Sequence, residues 1–278
     1  MLHRCLPLYA LAAASLFAQT RPPIIGVAHV ALRTNDLAAA RQFYKGDLGL
    51  IEQPMAVFRV NDHQYIQLSA DLKDDADDRL INVAFETTDV RQLRDYLASR
   101  GMQASLSGMT LSVKDPEGRI IEFVQYDSNA GHAPFLQHRI SARIIHAGFI
   151  VQDRAAEDRF YKDILGFTEM WHGGKTDTEI SWVDMRVPDG DDWLEYMLNV
   201  HNPTPKTRGV MNHLALGVPN MEVACKSLTD RGVNLTEKPK IGRDGKWQLN
   251  LYDSNLTRVE LMEPKPVETP CCSPMGTR

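Results

Sequence analysis

Four residues in the second half of this 278-residue chain have the types and the setting to hold a metal ion. They are His146 in Ile144-Ile145-His146-Ala147, Glu195 in Trp193-Leu194-Glu195-Tyr196, His213 in Met211-Asn212-His213-Leu214, and Glu260 in Arg258-Val259-Glu260-Leu261. Each sits in a short run with the alternation of a half-buried strand, on the face that points inward. A buried polar group left unpaired costs on the order of 1–3 kcal/mol, so such positions need a reason. Singly, they read as a satisfied core histidine or an edge carboxylate. As a set, two neutral imidazoles and two carboxylates balance the charge of a divalent first-row metal. Such a set leaves open positions for water or substrate.

The elements that must position these residues occur twice. Residues 28–49, AHVALRTNDLAAARQFYKGDLG, and residues 145–166, IHAGFIVQDRAAEDRFYKDILG, are copies in which His29/His146, Phe43/Phe160, Tyr44/Tyr161 and Gly49/Gly166 all lie 117 residues apart. A repeat at this spacing means a fold built twice. In the first copy, Val27–Leu32 reads as a strand and Asp36 as a helix N-cap. Leu37, Ala40, Phe43 and Tyr44 share a helical face, and Gly49 suits the helix exit. Met55–Val60 and Tyr65–Leu68 alternate as strands. The order restarts at Ile81–Phe85 with a helix over Val90–Ser99, then strands at Leu111–Val113 and Ile120–Val124. The fold class is therefore α+β, with tandem βαβββ units, two per domain. The domains are expected at 24–130 and 141–264, joined near Pro134–Ser141, with a flexible tail at 265–278. The offset between copies grows to 128 at Gln67/Glu195, 131 at Asn82/His213 and 138 at Glu122/Glu260, so the largest insertion precedes Glu195.

Composition bounds the function. Apolar content of 43% with 24% charged residues suits a soluble globular protein, and a net charge of −5 argues against nucleic acid as partner. Past the N-terminus no stretch approaches the roughly 18 apolar residues needed to span a membrane. At the start, Arg4 followed by the apolar run Leu6–Phe17 and the small Ala18 has the layout of a secretory signal peptide over 1–18. Export to a periplasm or beyond is the expectation. Cys225 reads as a small core residue, and Cys271-Cys272 sits in a proline- and serine-rich tail.

A histidine in the first strand, then Phe-Tyr and Leu-Gly at the helix and its exit, resembles the vicinal oxygen chelate superfamily. So does Asp115-Pro116-Glu117-Gly118-Arg119-Ile120-Ile121-Glu122, which is similar to the family's closing motif. Members include glyoxalase I, extradiol ring-cleavage dioxygenases and bleomycin-resistance proteins. The resemblance implies curved half-barrel sheets with helices outside and a small-molecule substrate. It places the four ligand positions on His146, Glu195, His213 and Glu260 in the second half, and on His29, Gln67, Asn82 and Glu122 in the first. The first set has lost a histidine and a carboxylate to amides, which bind transition metals poorly, so that half reads as structural. His29 and Glu122 are expected to be satisfied by Asn82 and Gln67. Some members build the site from units in different halves or subunits, which leaves open a homodimer or a site pairing His29 and Gln67 with His213 and Glu260. The second closing motif, Asp253-Ser254-Asn255-Leu256-Thr257-Arg258-Val259-Glu260, lacks the proline and glycine, and its turn is expected to differ in shape.

The resemblance implies two chemistries. A glyoxalase-like lyase or isomerase uses all four ligands on nickel, zinc, cobalt, iron or manganese. Glu260 is then the base, Glu195 a ligand or alternate base, and the intermediate a metal-bound enediolate. An iron(II) ring-cleaving dioxygenase uses His146, His213 and Glu260 alone. Its acid–base tyrosine would fall on Asn250, with Tyr252 in a different strand phase. For the glyoxalase-like chemistry no basic cluster for two glutathione carboxylates stands out, although Lys175, Arg186 and Arg258 are available. A third reading, without catalysis, is a ligand-binding cup lined by Trp171, Trp182, Trp193 and Trp247.

Overall fold

The computed structural model describes residues 19–74, 78–130 and 139–276. The expected leader at 1–18 and most of the expected linker lie outside the described residues. In the first half the strands are β1 (Ile24–Arg33), β2 (Ile51–Gln53), β3 (Val57–Arg59), β4 (Tyr65–Ser69), β5 (Leu80–Thr87), β6 (Ala104–Ser107), β7 (Thr110–Lys114) and β8 (Ile120–Gln125). In the second they are β9 (Arg143–Ile150), β10 (Thr168–Gly173), β11 (Trp182–Arg186), β12 (Trp193–Met197), β13 (His213–Gly217), β14 (Lys240–Ile241), β15 (Trp247–Tyr252) and β16 (Arg258–Met262). Each set forms one eight-stranded curled sheet, in the orders β2-β3-β4-β1-β5-β8-β7-β6 and β10-β11-β12-β9-β13-β16-β15-β14. The first strands of the two units pair antiparallel at the centre, and each is flanked by the last strand of its own unit in parallel. This is the tandem βαβββ architecture expected. Among the described residues no helix is long and apolar enough to cross a membrane.

Helix α1 (Leu37–Arg41) starts where Asp36 accepts hydrogen bonds from the amides of Ala38 and Ala39. It then widens into a π-turn over Gln42–Asp47, and the second copy does the same after Arg154–Asp158 over Arg159–Ile164. The widening explains the repeated Phe-Tyr pair. Adjacent residues on an α-helix point about 100° apart, but the π-turn lets both rings enter the core. Phe43 and Tyr44 pack edge to face at 5.0 Å between centroids, and Phe160 and Tyr161 at 4.8 Å. Gly49 and Gly166 leave the helices at φ +71° and +81°, a left-handed exit that favours glycine.

The strand expected over Met55–Val60 is shorter. Pro54–Ala56 forms a 3-10 turn with Met55 and Ala56 at positive φ, and the strand begins at Val57. Met55 is 81% exposed, so the apolar run there has no core face to fill. The second closing turn, in contrast, keeps the shape of the first. Asp115 accepts from the Gly118 amide and donates to Arg119 O, and Asp253 does the same with Leu256 and Thr257. Leu256 takes φ +62° where Gly118 has +85°. The carboxylate of Asp253 secures the turn by accepting from the amides of Asn255 and Thr257.

The first half grips the strands that carry the second half's cluster. Gln64 donates to Ile144 O and accepts from its amide, bracketing the start of β9. The Asp78 carboxylate accepts from Asn212 Nδ2, and Asn212 Oδ1 accepts from the Ile150 amide. Thr34 and Tyr44 bond to Asn255 and Asp253 in the turn before β16.

Candidate metal centre

His146 on β9 and His213 on β13 approach with their Nε2 atoms 3.1 Å apart. Both rings are buried. Burial is the main force holding both imidazoles well below their ordinary range, with the Arg258 charge adding to it, so both are neutral near pH 7. His213 Nδ1 lies 2.9 Å from Met211 O. A carbonyl only accepts, so the His213 proton sits on Nδ1 and its Nε2 lone pair is bare. Glu195 on β12 places Oε2 3.1 Å from His213 Nε2 and 3.9 Å from His146 Nε2. Glu260 on β16 places Oε2 3.6 Å from His146 Nε2 and 3.9 Å from His213 Nε2. The ligand atoms of His146, His213 and Glu260 all fall within 4.8 Å of one another. Burial, with Glu195 and Asp244 nearby, pushes the Glu260 carboxyl up to about 7.

All four expected residues thus converge within the second half, and the straddling arrangement does not form. Two facing neutral imidazoles beside two carboxylates form a donor set that fits a divalent cation. The fold leaves no slack for His213, because Gly148 lies directly opposite it on β9. A Cβ at Gly148 would overlap the His213 ring. Gly148→Ala is therefore expected to lower metal affinity about 10–100-fold while circular dichroism stays native, as loss of ligand-orienting contacts does. Metal content after dialysis measures this.

In the first half the equivalent residues make a closed pair. His29 Nε2 bonds Glu122 Oε2 at 3.3 Å, Ser112 donates to Glu122, and Tyr65 stacks on His29 at 4.6 Å. The expected partners do not serve: the Asn82 carbonyl oxygen is buried without a partner. The His29 hydrogen bond holds Glu122 below the usual carboxylate range.

Beside the cluster opens a cavity of about 340 Å³, lined by Trp171, Trp182 and Trp193 and by Asp184, Asn250 and Arg258 among others. Trp247 packs instead against the main core. Trp193 leans on His146, their centroids 4.8 Å apart, the place Tyr65 takes beside His29. Of the three bases proposed for an anion, Arg258 alone lines the cup. A larger cavity of about 660 Å³ lies at the seam between the halves and contains none of the cluster residues.

Sequence reading missed Asp184, Asp244 and Lys246. Asp184 faces Glu195 in register, and burial drives its carboxyl well above the usual range, with Glu195 adding to the rise and Lys246 opposing it. Lys246 is 1% exposed. Its ammonium lies 3.1 Å from Asp244 and 4.5 Å above the centre of the Trp193 ring. The signal for Asp184 was its alternation with Trp182 on β11. Tyr252 shares the face of Asn250, two residues along β15, rather than opposing it. Both donate to Glu237.

The tail expected to be loose is held against β10 and the β14–β15 turn. The Trp171 indole donates to Cys271 O while the Cys271 amide donates to Arg243 O, so this residue bridges β10 and the β14–β15 turn. Ser273 bonds the backbone of His172, Gly276 bonds Met170 O, and Met275 packs on the cluster containing Met170 and Trp193. Cys271 and Cys272 are joined as a disulfide. Cys225 on Met221–Asp230 is free and partly buried against the core.

Comparison with known proteins finds a family likeness in the second half and a likeness of fold over most of the chain. No curated protein matches the chain. Residues 145–250 match the glyoxalase/bleomycin resistance protein/dioxygenase superfamily. Among solved structures, homoprotocatechuate 2,3-dioxygenase from Brevibacterium fuscum is similar at 18% identity and TM-score 0.63, over 88% of this chain and 82% of that one. The 2,3-dioxygenase LapB from Pseudomonas sp. KL28 is similar at 15% identity and TM-score 0.64, over 90% and 97%. The homoprotocatechuate 2,3-dioxygenase of Arthrobacter globiformis is similar at 16% identity and TM-score 0.64, over 87% and 80%. These likenesses are of fold. The superfamily match falls on the half that holds the His–Glu cluster, and the shared fold extends over both halves.

Proposed function

We propose that the second half binds a divalent first-row metal through His146, Glu195, His213 and Glu260. We propose further that it catalyses proton transfer at a carbon next to an oxygen function of a small substrate, as a lyase or isomerase. The observation that carries this reading is Glu195, whose carboxylate lies 3.1 Å from His213 Nε2 and makes a fourth donor. When bound, the metal would polarise the substrate's oxygen and acidify the neighbouring C–H. Glu260 is the base: its buried carboxylate faces both histidines and lines the cup that would hold the substrate. The tautomer fixed by Met211 O keeps His213 in position, and Trp193 walls His146 off from water. The apolar leader at 1–18 supports an exported, periplasmic or secreted enzyme.

A second reading, an iron(II) ring-cleaving dioxygenase, is favoured by the close His146, His213 and Glu260 trio and by the fold of the dioxygenases above. Against it, Asn250 stands at the expected acid–base position and Tyr252 is tied to Glu237. Glu195→Ala separates the two. Four-donor binding predicts that the metal, near one per chain when purified without chelator, falls at least tenfold in affinity. A three-ligand iron site predicts that it stays, together with oxygen uptake on adding catechols.

A further inference from the structure

We propose that Arg258 anchors a carboxylate of the substrate, so that the compound bound beside the cluster is a small oxygenated acid rather than a neutral molecule. This rests on the reading of the cup as the substrate site. Arg258 stands on β16 two residues before Glu260 and lines the cup with it. Residues so spaced share a strand face and lie about 6–7 Å apart. Its Nε is buried with no hydrogen-bond partner, and among the described residues no hydrogen bond or ion pair engages the guanidinium.

Apart from Lys240, an exposed residue on β14, and the buried Asp184 on β11, the other charges around the cup are committed. Lys246 pairs with Asp244, and Arg243 with Asp177. Glu195 and Glu260 face the two histidines. Glu237, across from Arg258, has one oxygen taken by Asn250 and the other by Tyr252. Once a divalent cation balances Glu195 and Glu260, the guanidinium is left as an uncompensated positive group on an apolar-walled cavity. Such a fork binds a carboxylate through two parallel N–H···O bonds, which a lysine does not reproduce. Trp171, Trp182 and Trp193 offer flat surface for the body of the molecule. The geometry therefore suits an acid whose carboxylate reaches Arg258 while its oxygen functions face the cluster.

Tryptophan fluorescence of the full-length protein, titrated with salicylate and with salicylamide, tests this. The wild type should bind the acid at least tenfold more tightly than the amide. Arg258→Gln should lose that preference while binding the amide as before, which also shows that the cup is intact, and Arg258→Lys should keep only part of it. A wild type without preference for the acid, or an Arg258→Gln protein that retains it, overturns the proposal. A preference that survives in Arg258→Gln but vanishes on chelation assigns the carboxylate to the metal and overturns it equally. An acid preference that persists in chelator-treated wild type and vanishes in Arg258→Gln stands even if the metal reading fails. One metal per chain with no acid preference is the reverse result.

Discussion

Replacing His213 with alanine is expected to abolish stoichiometric metal binding, whereas Asn82→Ala, at the equivalent place in the first half, should leave it intact. The asymmetry follows from the donors. His213 brings a bare Nε2 to a focus shared by His146, Glu195 and Glu260. In the first half the equivalent histidine and carboxylate, His29 and Glu122, are already bonded to each other, and Asn82 joins neither through its carbonyl oxygen. Removing one of two imidazoles leaves two carboxylates and one nitrogen, a set with much weaker preference for first-row transition metals. Elemental analysis of both variants, purified without chelator, is the measurement. Equal loss in both would mean that the first half supplies ligands, and no metal in the wild type would sink both enzymatic readings.

Arg119→Met should destabilise the protein by about 3–5 kcal/mol, the scale for breaking a buried ion pair from one side. Arg119 bonds Asp115 at 2.7 Å, Glu117 at 2.9 Å and, across the seam between the halves, Glu157 at 2.7 Å and Ile150 O at 2.8 Å. Asp115 and Glu157 are buried. One guanidinium cannot neutralise three carboxylates, and burial pushes Glu157 up to about 8, so the cluster retains a proton near neutrality despite the short Glu157 contact. The pH dependence follows from that direction. A carboxyl raised in the folded state contributes stability below its unfolded value, near 4.5, and loses it as pH rises through its folded value. Removing Arg119 raises the folded values further. The gap between wild type and variant should therefore be small near pH 4.5 and largest above pH 8. Urea melts at pH 5 and 8 with equal gaps would refute the shared-proton account.

Much of the fold was legible because duplication let one half annotate the other. The caps at Asp36 and Asp153, the exits at Gly49 and Gly166, and the alternation around His146 and Glu260 are local signals that survive without tertiary context. The π-turns were not legible, since a 3.6-residue period fits the same apolar positions until two adjacent rings must both be buried. Leu256 in a left-handed conformation was equally hidden, because the Asp253 carboxylate rather than a glycine stabilises that turn. Asp244 lines the cup, and Lys246 pairs with it, from the turn before β15, where no periodicity marks an inward face. The tail carried no pattern at all, since it is held by bonds to partners about 100 residues away.

That tail has a consequence for how copies of the protein meet one another. β10 and β14 are the two rims of an open sheet, and rims with free amides and carbonyls invite strands from other molecules to add on. Residues 271–276 use up His172 N, His172 O and Met170 O on one rim, while Cys271 bonds Arg243 O beside the other. The segment blunts in an open sheet what a closed barrel abolishes by joining its edges. Part of the β10 rim is thereby closed to strand addition by the chain itself.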